Sequence, residues 1–343
     1  MKATESIMDN RRIISPMATG NGAFVIHKLL EQKLSGYRII SYSPYRTLFP
    51  PSLFPIGHSH AADIIHTAPD YAWFFSRKNV PLIITFHNYV LDRFMADFSN
   101  LAQTIHYRTD LKLFTRLSIR EARMITAVSR FTADLVKKDL NLSKEIRVIH
   151  NGVDQNLFIP KTWTSRVIKK DIVVLFSGNL TQRKGAQWLI PITERLKRNI
   201  TIMYTSGLQP KGLWSKHPRL QCLGSVPYRK MPEIYQQSDI LLFPTVREGF
   251  GLAAVEAMSC GLPVVATNCS SLPELIDNGK GGFLCPIGDV DAFAEKINYL
   301  ADNPQLRREM GEYNRAKVEK MFTLDRMVGE YQKLFEEVLS FHQ

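Results

Sequence analysis

Glu248 and Glu256 stand eight positions apart in the run Arg247-Glu248-Gly249-Phe250-Gly251-Leu252-Ala253-Ala254-Val255-Glu256-Ala257-Met258. An ionised carboxylate only accepts hydrogen bonds, so a pair at this spacing suits a ligand rich in hydroxyl groups. Gly249 and Gly251 have no side chains and let such a ligand approach the main chain closely. The apolar run Ile240-Leu241-Leu242-Phe243 before them predicts a buried strand, and the alanine-rich run from Leu252 to Met258 predicts a helix. A helix that starts at the C-terminal end of a strand offers free N–H groups, here over Gly249, Phe250, Gly251 and Leu252, to an anionic or hydroxyl-bearing group. The plainer reading makes Glu248 a helix-dipole partner and Glu256 a solvated helical residue.

Fixed cations form the second chemical feature. Ser177-Gly178-Asn179-Leu180-Thr181-Gln182-Arg183-Lys184-Gly185 lies between a strand expected over Ile172–Phe176 and a helical run expected over Ala186–Lys197. Arg183 and Lys184 beside a helix start would stabilise charge that builds on a departing diphosphate. An ordinary charged loop is the alternative. Thr85-Phe86-His87-Asn88 ends another expected strand, where a lone histidine is more often structural. Gly20-Asn21-Gly22 is a glycine-rich turn between an expected strand and a helix from Ala23 to Leu34, placed to face phosphate.

Two metal readings are discounted. His58, His60 and His66 are explained by a surface loop and a strand end. Asp289-Val290-Asp291 precedes the helical run Ala292–Ile297, where capping accounts for it.

Positioning these groups requires a repeated α/β scaffold. Strand candidates occur at Tyr37–Ser41, Asp63–His66, Pro81–Phe86, Met124–Ser129 and Ile146–Ile149, with Ser129 placed to cap the next helix. A second series follows at Ile172–Phe176, Thr201–Thr205, Leu220–Leu223, Ile240–Phe243, Pro263–Ala266 and Gly282–Cys285. Such alternation with helices predicts parallel sheets. The chain turns polar and irregular between Asn151 and Lys170, which sets an expected domain boundary at 165/166. From Thr323 to Phe341, Met327, Tyr331, Leu334, Phe335 and Val338 recur at helical spacing.

The 343 residues suffice for two domains, and 45% apolar with 22% charged residues is a globular composition. No apolar run is long enough to span a bilayer and the N-terminal stretch Met1–Arg12 is polar, so a cytoplasmic location is expected. Cys222, Cys260, Cys269 and Cys285 lack Cys-x-x-Cys spacing and are expected as reduced thiols. The net charge of +12 is uneven, +8 over residues 1–165 and +4 over 166–343. Part of the excess is Arg108, Lys112, Arg116 and Arg120, spaced by four in an expected helix over Tyr107–Arg123. That stripe suits an anionic membrane surface or, equally, a solvated helix face.

Glu-Gly-Phe-Gly-Leu followed by Glu-Ala-Met-Ser-Cys-Gly-Leu-Pro-Val-Val-Ala resembles the Glu-x7-Glu signature of family-4 retaining glycosyltransferases of the GT-B fold. The resemblance implies an α/β fold of two Rossmann-like domains facing a cleft, here 1–165 for the acceptor and 166–322 for the nucleotide sugar. Residues 323–343 would form a helix packing back on the first domain. By the same resemblance Lys184 and Arg183 stabilise the diphosphate, and Glu256 holds ribose hydroxyls. Glu248 and the backbone of Gly249–Leu252 hold the donor sugar, which His87 touches from the other domain. Gly20, Asn21 and Gly22 approach phosphate or acceptor, and Val226 lies in the loop beside the nucleobase. Asn179 occupies a place the family usually gives to arginine, with Arg183 nearby as a substitute, and His150 stands where the family usually has proline.

The implied reaction moves a hexose-type unit from a nucleoside diphosphate sugar to an acceptor hydroxyl, in polysaccharide or glycolipid synthesis, with no metal or other cofactor. The implied partners are that donor and a glycan or lipid-linked acceptor. A sugar-nucleotide epimerase of the same fold is the alternative. A basic nucleic-acid-binding or scaffolding protein ranks last, because no nucleic-acid motif accompanies the charge.

Overall fold

The computed structural model describes residues 11–161, 171–207 and 217–340. The chain divides into two compact units, one of Met1–Gly152 with Leu324–Gln343 and the other of Val153–Thr323.

Short runs of β-branched and aromatic residues bounded by turns give each unit a six-stranded parallel sheet. In the first unit the strands are β1 (Ile13–Ala18), β2 (Tyr37–Tyr42), β3 (Ile64–Thr67), β4 (Leu82–Phe86), β5 (Met124–Ala127) and β6 (Arg147–Val148). Their order is β2-β1-β3-β4-β5-β6. β3 and β4 are buried at every position, as expected of strands covered on both faces. Asn21 caps the helix Gly22–Lys33 by accepting from the Phe24 N–H at 2.8 Å, and Ser129 caps Arg130–Leu140 through the Thr132 N–H at 3.1 Å.

The terminal helix Leu324–Ser340 belongs to this unit and buries Met327, Tyr331, Leu334, Phe335 and Val338. Phe335 packs against Tyr37 with ring centres 6.1 Å apart, and Arg147 donates twice to Glu337, at 2.8 and 3.0 Å.

The second unit contains β7 (Ile172–Phe176), β8 (Ile200–Thr205), β9 (Leu220–Gly224), β10 (Ile240–Phe243), β11 (Val264–Thr267) and β12 (Gly282–Cys285). Their order is β12-β11-β10-β7-β8-β9. This is a doubly wound sheet whose strand order reverses between β7 and β10, the place where open α/β sheets accept ligands beyond the strands' carboxyl ends. The core beneath it includes Val174, Phe176, Leu189, Ile202, Leu242 and Phe293.

The expected 165/166 boundary lies outside the described residues; the two compact units divide at Gly152/Val153. The cause is Phe158, fully buried in the second unit against Tyr228 and Tyr235. Arg315 also donates to the Gln155 and Phe158 carbonyls there. An irregular, polar-looking stretch is thus part of a core.

The basic stripe is not one regular helix. A π-helical turn at Tyr107–Leu111 separates Leu101–His106 from Lys112–Glu121, shifting Arg108 out of the register of the later cations. Lys112 is half-buried 3.8 Å from Asp139, while Arg108, Arg116 and Arg120 are exposed.

His66 lies near the carboxyl end of β3, as expected, and is fully buried there.

Candidate active site

The loops following β7 and β10 meet at the strand-order reversal of the second unit. Gly185 adopts φ +80°, and a Cβ there would lie 2.0 Å from the Pro244 carbonyl oxygen, so only glycine permits this approach. Two bonds stitch the loops together: the Val246 N–H donates to the Arg183 carbonyl at 2.9 Å, and Thr245 Oγ1 lies 2.9 Å from the same oxygen. The turn Gln182–Lys184 is capped by Thr181, whose Oγ1 accepts from the Lys184 N–H at 3.3 Å.

This packing brings together residues 64 positions apart. Lys184 Nζ donates to Glu248 Oε1 at 2.5 Å, and Arg183 Nη1 lies 3.8 Å from the same oxygen. Thr245 Oγ1 is 2.9 Å from Glu248 Oε1. Lys184 Nζ also lies 5.3 Å from the centre of the Phe243 ring. Glu248 is only 7% exposed. Burial opposes its charge, but Lys184, Arg183 and the two hydrogen bonds outweigh that and hold its carboxyl below the ordinary value. The pair is therefore ionised.

The turn bearing Glu248 is fixed from the far side by the loop after β11. The Glu248 N–H donates to Ser270 Oγ at 3.0 Å, and the Ser271 hydroxyl donates to the Phe250 carbonyl at 2.8 Å. Gly251, at φ +105°, then starts the helix Leu252–Ser259. Glu256 on that helix is 8% exposed and accepts from the Tyr235 hydroxyl at 2.8 Å. Burial pushes its carboxyl up to about 7, against the pull of Tyr235 and Lys184. Two carboxyl groups on one turn and helix are thus held in different states, one ionised by its cations and the other poised to titrate near neutrality.

The structure gathers Arg183, Lys184, Glu248, Gly249, Phe250, Gly251, Leu252 and Glu256 in the second unit's two loops and adjoining helix. Phe250 is 3% exposed, with its ring edge-on to Phe322. Asn179 sits exposed in the loop after β7, and Val226 is half-buried after β9. Gly20, Asn21 and Gly22 are exposed at the end of β1 in the first unit. His87 follows β4, and its Nε2 lies 2.9 Å from His27 Nε2.

Sequence reasoning missed Tyr235, Thr245, Ser270 and Ser271. A signal existed for the last three: each is a small hydroxyl residue in a loop that follows a mainly apolar strand, β10 for Thr245 and β11 for Ser270 and Ser271. Tyr235 gave none, because its run Met231–Gln237 reads as an ordinary helix.

Comparison with known proteins gives a consistent outcome over both units. A model described as Glycosyltransferase Family 4 matches residues 13–157, and one described as Glycosyl transferases group 1 matches residues 161–317. The N-acetyl-alpha-D-glucosaminyl L-malate synthase of Bacillus anthracis is 22% identical over 332 residues, covering 90% of this chain and 84% of the relative. The O-antigen chain mannosyltransferase B of Escherichia coli is 29% identical over 199 residues, 52% of each chain.

Among solved structures, the sucrose-phosphate synthase of Thermosynechococcus elongatus superposes with a TM-score of 0.82 at 16% identity, over 96% of this chain and 99% of that one. The Anabaena protein HepE, solved with UDP-glucose, gives 0.74 at 21% identity over 96% and 99%. At these identities the superpositions establish the fold, which is GT-B.

Proposed function

This chain is a family-4-like glycosyltransferase of the GT-B fold, and from that premise we propose that it is a retaining enzyme moving a hexose-type unit from a nucleoside diphosphate sugar to an acceptor hydroxyl. The observation that carries this reading is the buried ionised cluster Lys184–Glu248 with Arg183 beside it, at the strand-order reversal of the second unit. Preorganised cations in a water-poor site stabilise the charge that develops as the bond from sugar to diphosphate breaks. Glu256, once deprotonated, accepts from the ribose hydroxyls. Glu248 and the backbone over Gly249–Leu252 orient the donor sugar. The departing phosphate takes the acceptor's proton as the new bond forms on the same face, so the protein's task is orientation and charge stabilisation.

HepE was solved with UDP-glucose, which supports a nucleotide-sugar donor. The Escherichia coli relative is named for O-antigen synthesis, which supports a glycan or glycolipid acceptor. We assign the protein to the cytoplasmic face of a membrane, with the exposed Arg108, Arg116 and Arg120 drawn to anionic lipid. No helix among the described residues is long and apolar enough to cross a membrane.

The test is incubation with UDP-, GDP- and ADP-hexoses and a panel of glycan and lipid-linked acceptors, with proton NMR of the anomeric centre. Transfer with the donor's anomeric configuration preserved is expected. An inverted product would contradict the retaining assignment, and epimerisation of the donor without acceptor would replace it with the epimerase reading.

A further inference from the structure

The first unit contains a buried polar network drawn from five strands and one helix. Ser15 on β1, Tyr37 on β2, His66 on β3 and Thr85 on β4 are all at most 4% exposed, as is His27 on the helix after β1. His27 Nδ1 lies 2.7 Å from Ser15 Oγ and 2.7 Å from the Tyr37 hydroxyl. The Tyr37 hydroxyl is also 2.8 Å from His66 Nδ1, and His66 Nε2 is 2.7 Å from Thr85 Oγ1. Thr85 Oγ1 continues to Thr126 Oγ1 at 2.6 Å, whose hydroxyl donates to the Ile84 carbonyl at 3.4 Å. At the other end His27 Nε2 meets His87 Nε2 at 2.9 Å, while His87 Nδ1 is buried and has no hydrogen-bond partner among the described residues.

A neutral imidazole carries one N–H and one lone pair, and Tyr37 has a single proton, so the chain can be ordered in only two directions. If Tyr37 donates to His66, it accepts from His27 Nδ1–H. His27 Nε2 is then a lone pair, His87 must donate from Nε2, and His87 Nδ1 is an acceptor. If Tyr37 donates to His27 instead, every bond reverses and His87 Nδ1 carries the proton.

Both ends of the chain select the first order. Two oxygens face His27 Nδ1: an N–H can be shared between them, whereas a lone pair takes one proton and would leave the second oxygen facing it unpaired. The Ile84 carbonyl can only accept, so Thr126 donates to it and accepts from Thr85, which branches to the Tyr331 hydroxyl at 3.5 Å and accepts from His66. All three imidazoles are neutral near neutral pH, because burial lowers His27 well below its ordinary value and takes His66 and His87 down to about 3.

We infer that Tyr37 and His27 are positioning residues that hold His87 as the Nε2–H tautomer, presenting its Nδ1 lone pair to a hydroxyl donor. Asn88 Oδ1, next in the chain, is a second buried acceptor without a partner among the described residues. Two unpartnered hydrogen-bonding atoms thus lie at the carboxyl end of β4, and the His87 lone pair calls for a donor such as a hydroxyl. The tautomer does not rest on the proposed function.

The experiment is long-range proton–nitrogen correlation NMR of the full chain labelled with 15N-histidine, with His87 assigned from the signal lost in His87→Gln. The expected spectrum shows Nδ1 of His87 as an unprotonated nitrogen and Nε2 as an N–H nitrogen, unchanged from pH 7 to pH 5. A proton on Nδ1, or an average of both forms, overturns the inference. Tyr37→Phe removes the relaying hydroxyl and is expected to mix the two His87 tautomers. Ser15→Ala, which takes one oxygen from His27 Nδ1, is expected to mix them less. An unchanged spectrum in both variants contradicts the positioning roles.

Failure to find any transfer would count against the proposed function, while the spectrum would still decide the tautomer by itself.

Discussion

The two units use the same architecture, six parallel strands between helices, yet keep their buried polar groups in opposite states. The second unit buries charge: Glu248 is ionised because Lys184 and Arg183 stand against it. The first unit buries neutral groups: His27, His66 and His87 are discharged by burial and engage their ring nitrogens with hydroxyls and with one another. Set side by side, they show two ways for a parallel sheet to accommodate polarity near its carboxyl edge. A charged cluster is tolerated where a counter-charge reaches it, and it suits a ligand that itself develops charge. A neutral relay is tolerated where the partners are hydroxyls and imidazoles, and it fixes direction instead of charge.

Removing the ion pair should have the greatest consequence. Lys184→Met leaves Glu248 buried beside only Arg183, and is expected to cost about 3–5 kcal/mol in urea unfolding. Adding Glu248→Gln should recover much of that, since no unpaired charge remains. A single substitution as mild as a surface change would show that the cluster is not a buried charge pair.

Acidification should separate the units next. The three histidines have folded-state values below their unfolded value of 6.5, so the unfolded chain binds protons first and their stabilisation is lost as pH falls below 6.5. The slope is up to about 1.4 kcal/mol per pH unit for each group. Glu256 runs the other way. Its folded value of about 7 exceeds the unfolded 4.5, so its contribution is fully present below 4.5 and lost as pH rises through about 7. Hydrogen exchange at pH 7 and pH 5 should therefore show protection falling in the first unit's strands and rising around Leu252–Ser259. A uniform change in both units would contradict the contrast.

Tyr37→Phe probes the neutral side alone. Losing one hydroxyl that serves two imidazoles is expected to cost about 1–3 kcal/mol, with little dependence on salt, and a marked salt dependence would argue for hidden charge in the first unit. The smallest effect is at Asp289, whose Oδ1 accepts from the Ala292 N–H at 2.9 Å. Asp289→Ala should cost about 1 kcal/mol through the lost cap and leave nucleotide binding unchanged.

The same contrast explains what was legible in the sequence. Both sheets were, because buried strands such as Ile172–Phe176 and Ile240–Phe243 are written as uninterrupted apolar runs. Glu248 and Glu256 were also visible, since they share one turn and helix. Lys184 was visible as a fixed cation beside an expected helix start, but it meets Glu248 only through folding. The histidine relay was illegible: Ser15, His27, Tyr37, His66 and Thr85 are scattered over separate elements, and each alone reads as an ordinary polar residue. The division at Gly152/Val153 was not legible because Asn151–Pro160 is polar on average, while the buried Phe158 ring belongs to the second unit. The π-helical turn at Tyr107–Leu111 left no mark, since its residues suit an α-helix equally well.

Everything proposed for the second unit depends on its charged cluster receiving a nucleoside diphosphate, and calorimetric titration of UDP, GDP and ADP into the wild type, Lys184→Met and Glu256→Gln measures that binding itself. One nucleotide is expected to bind the wild type, and Lys184→Met to weaken it by about 1.5–3 kcal/mol, the usual worth of a hydrogen bond to a charged group. Affinity should rise through pH 7 in the wild type but not in Glu256→Gln. Equal binding by all three proteins, or no binding of any nucleotide to the wild type, would refute the assignment.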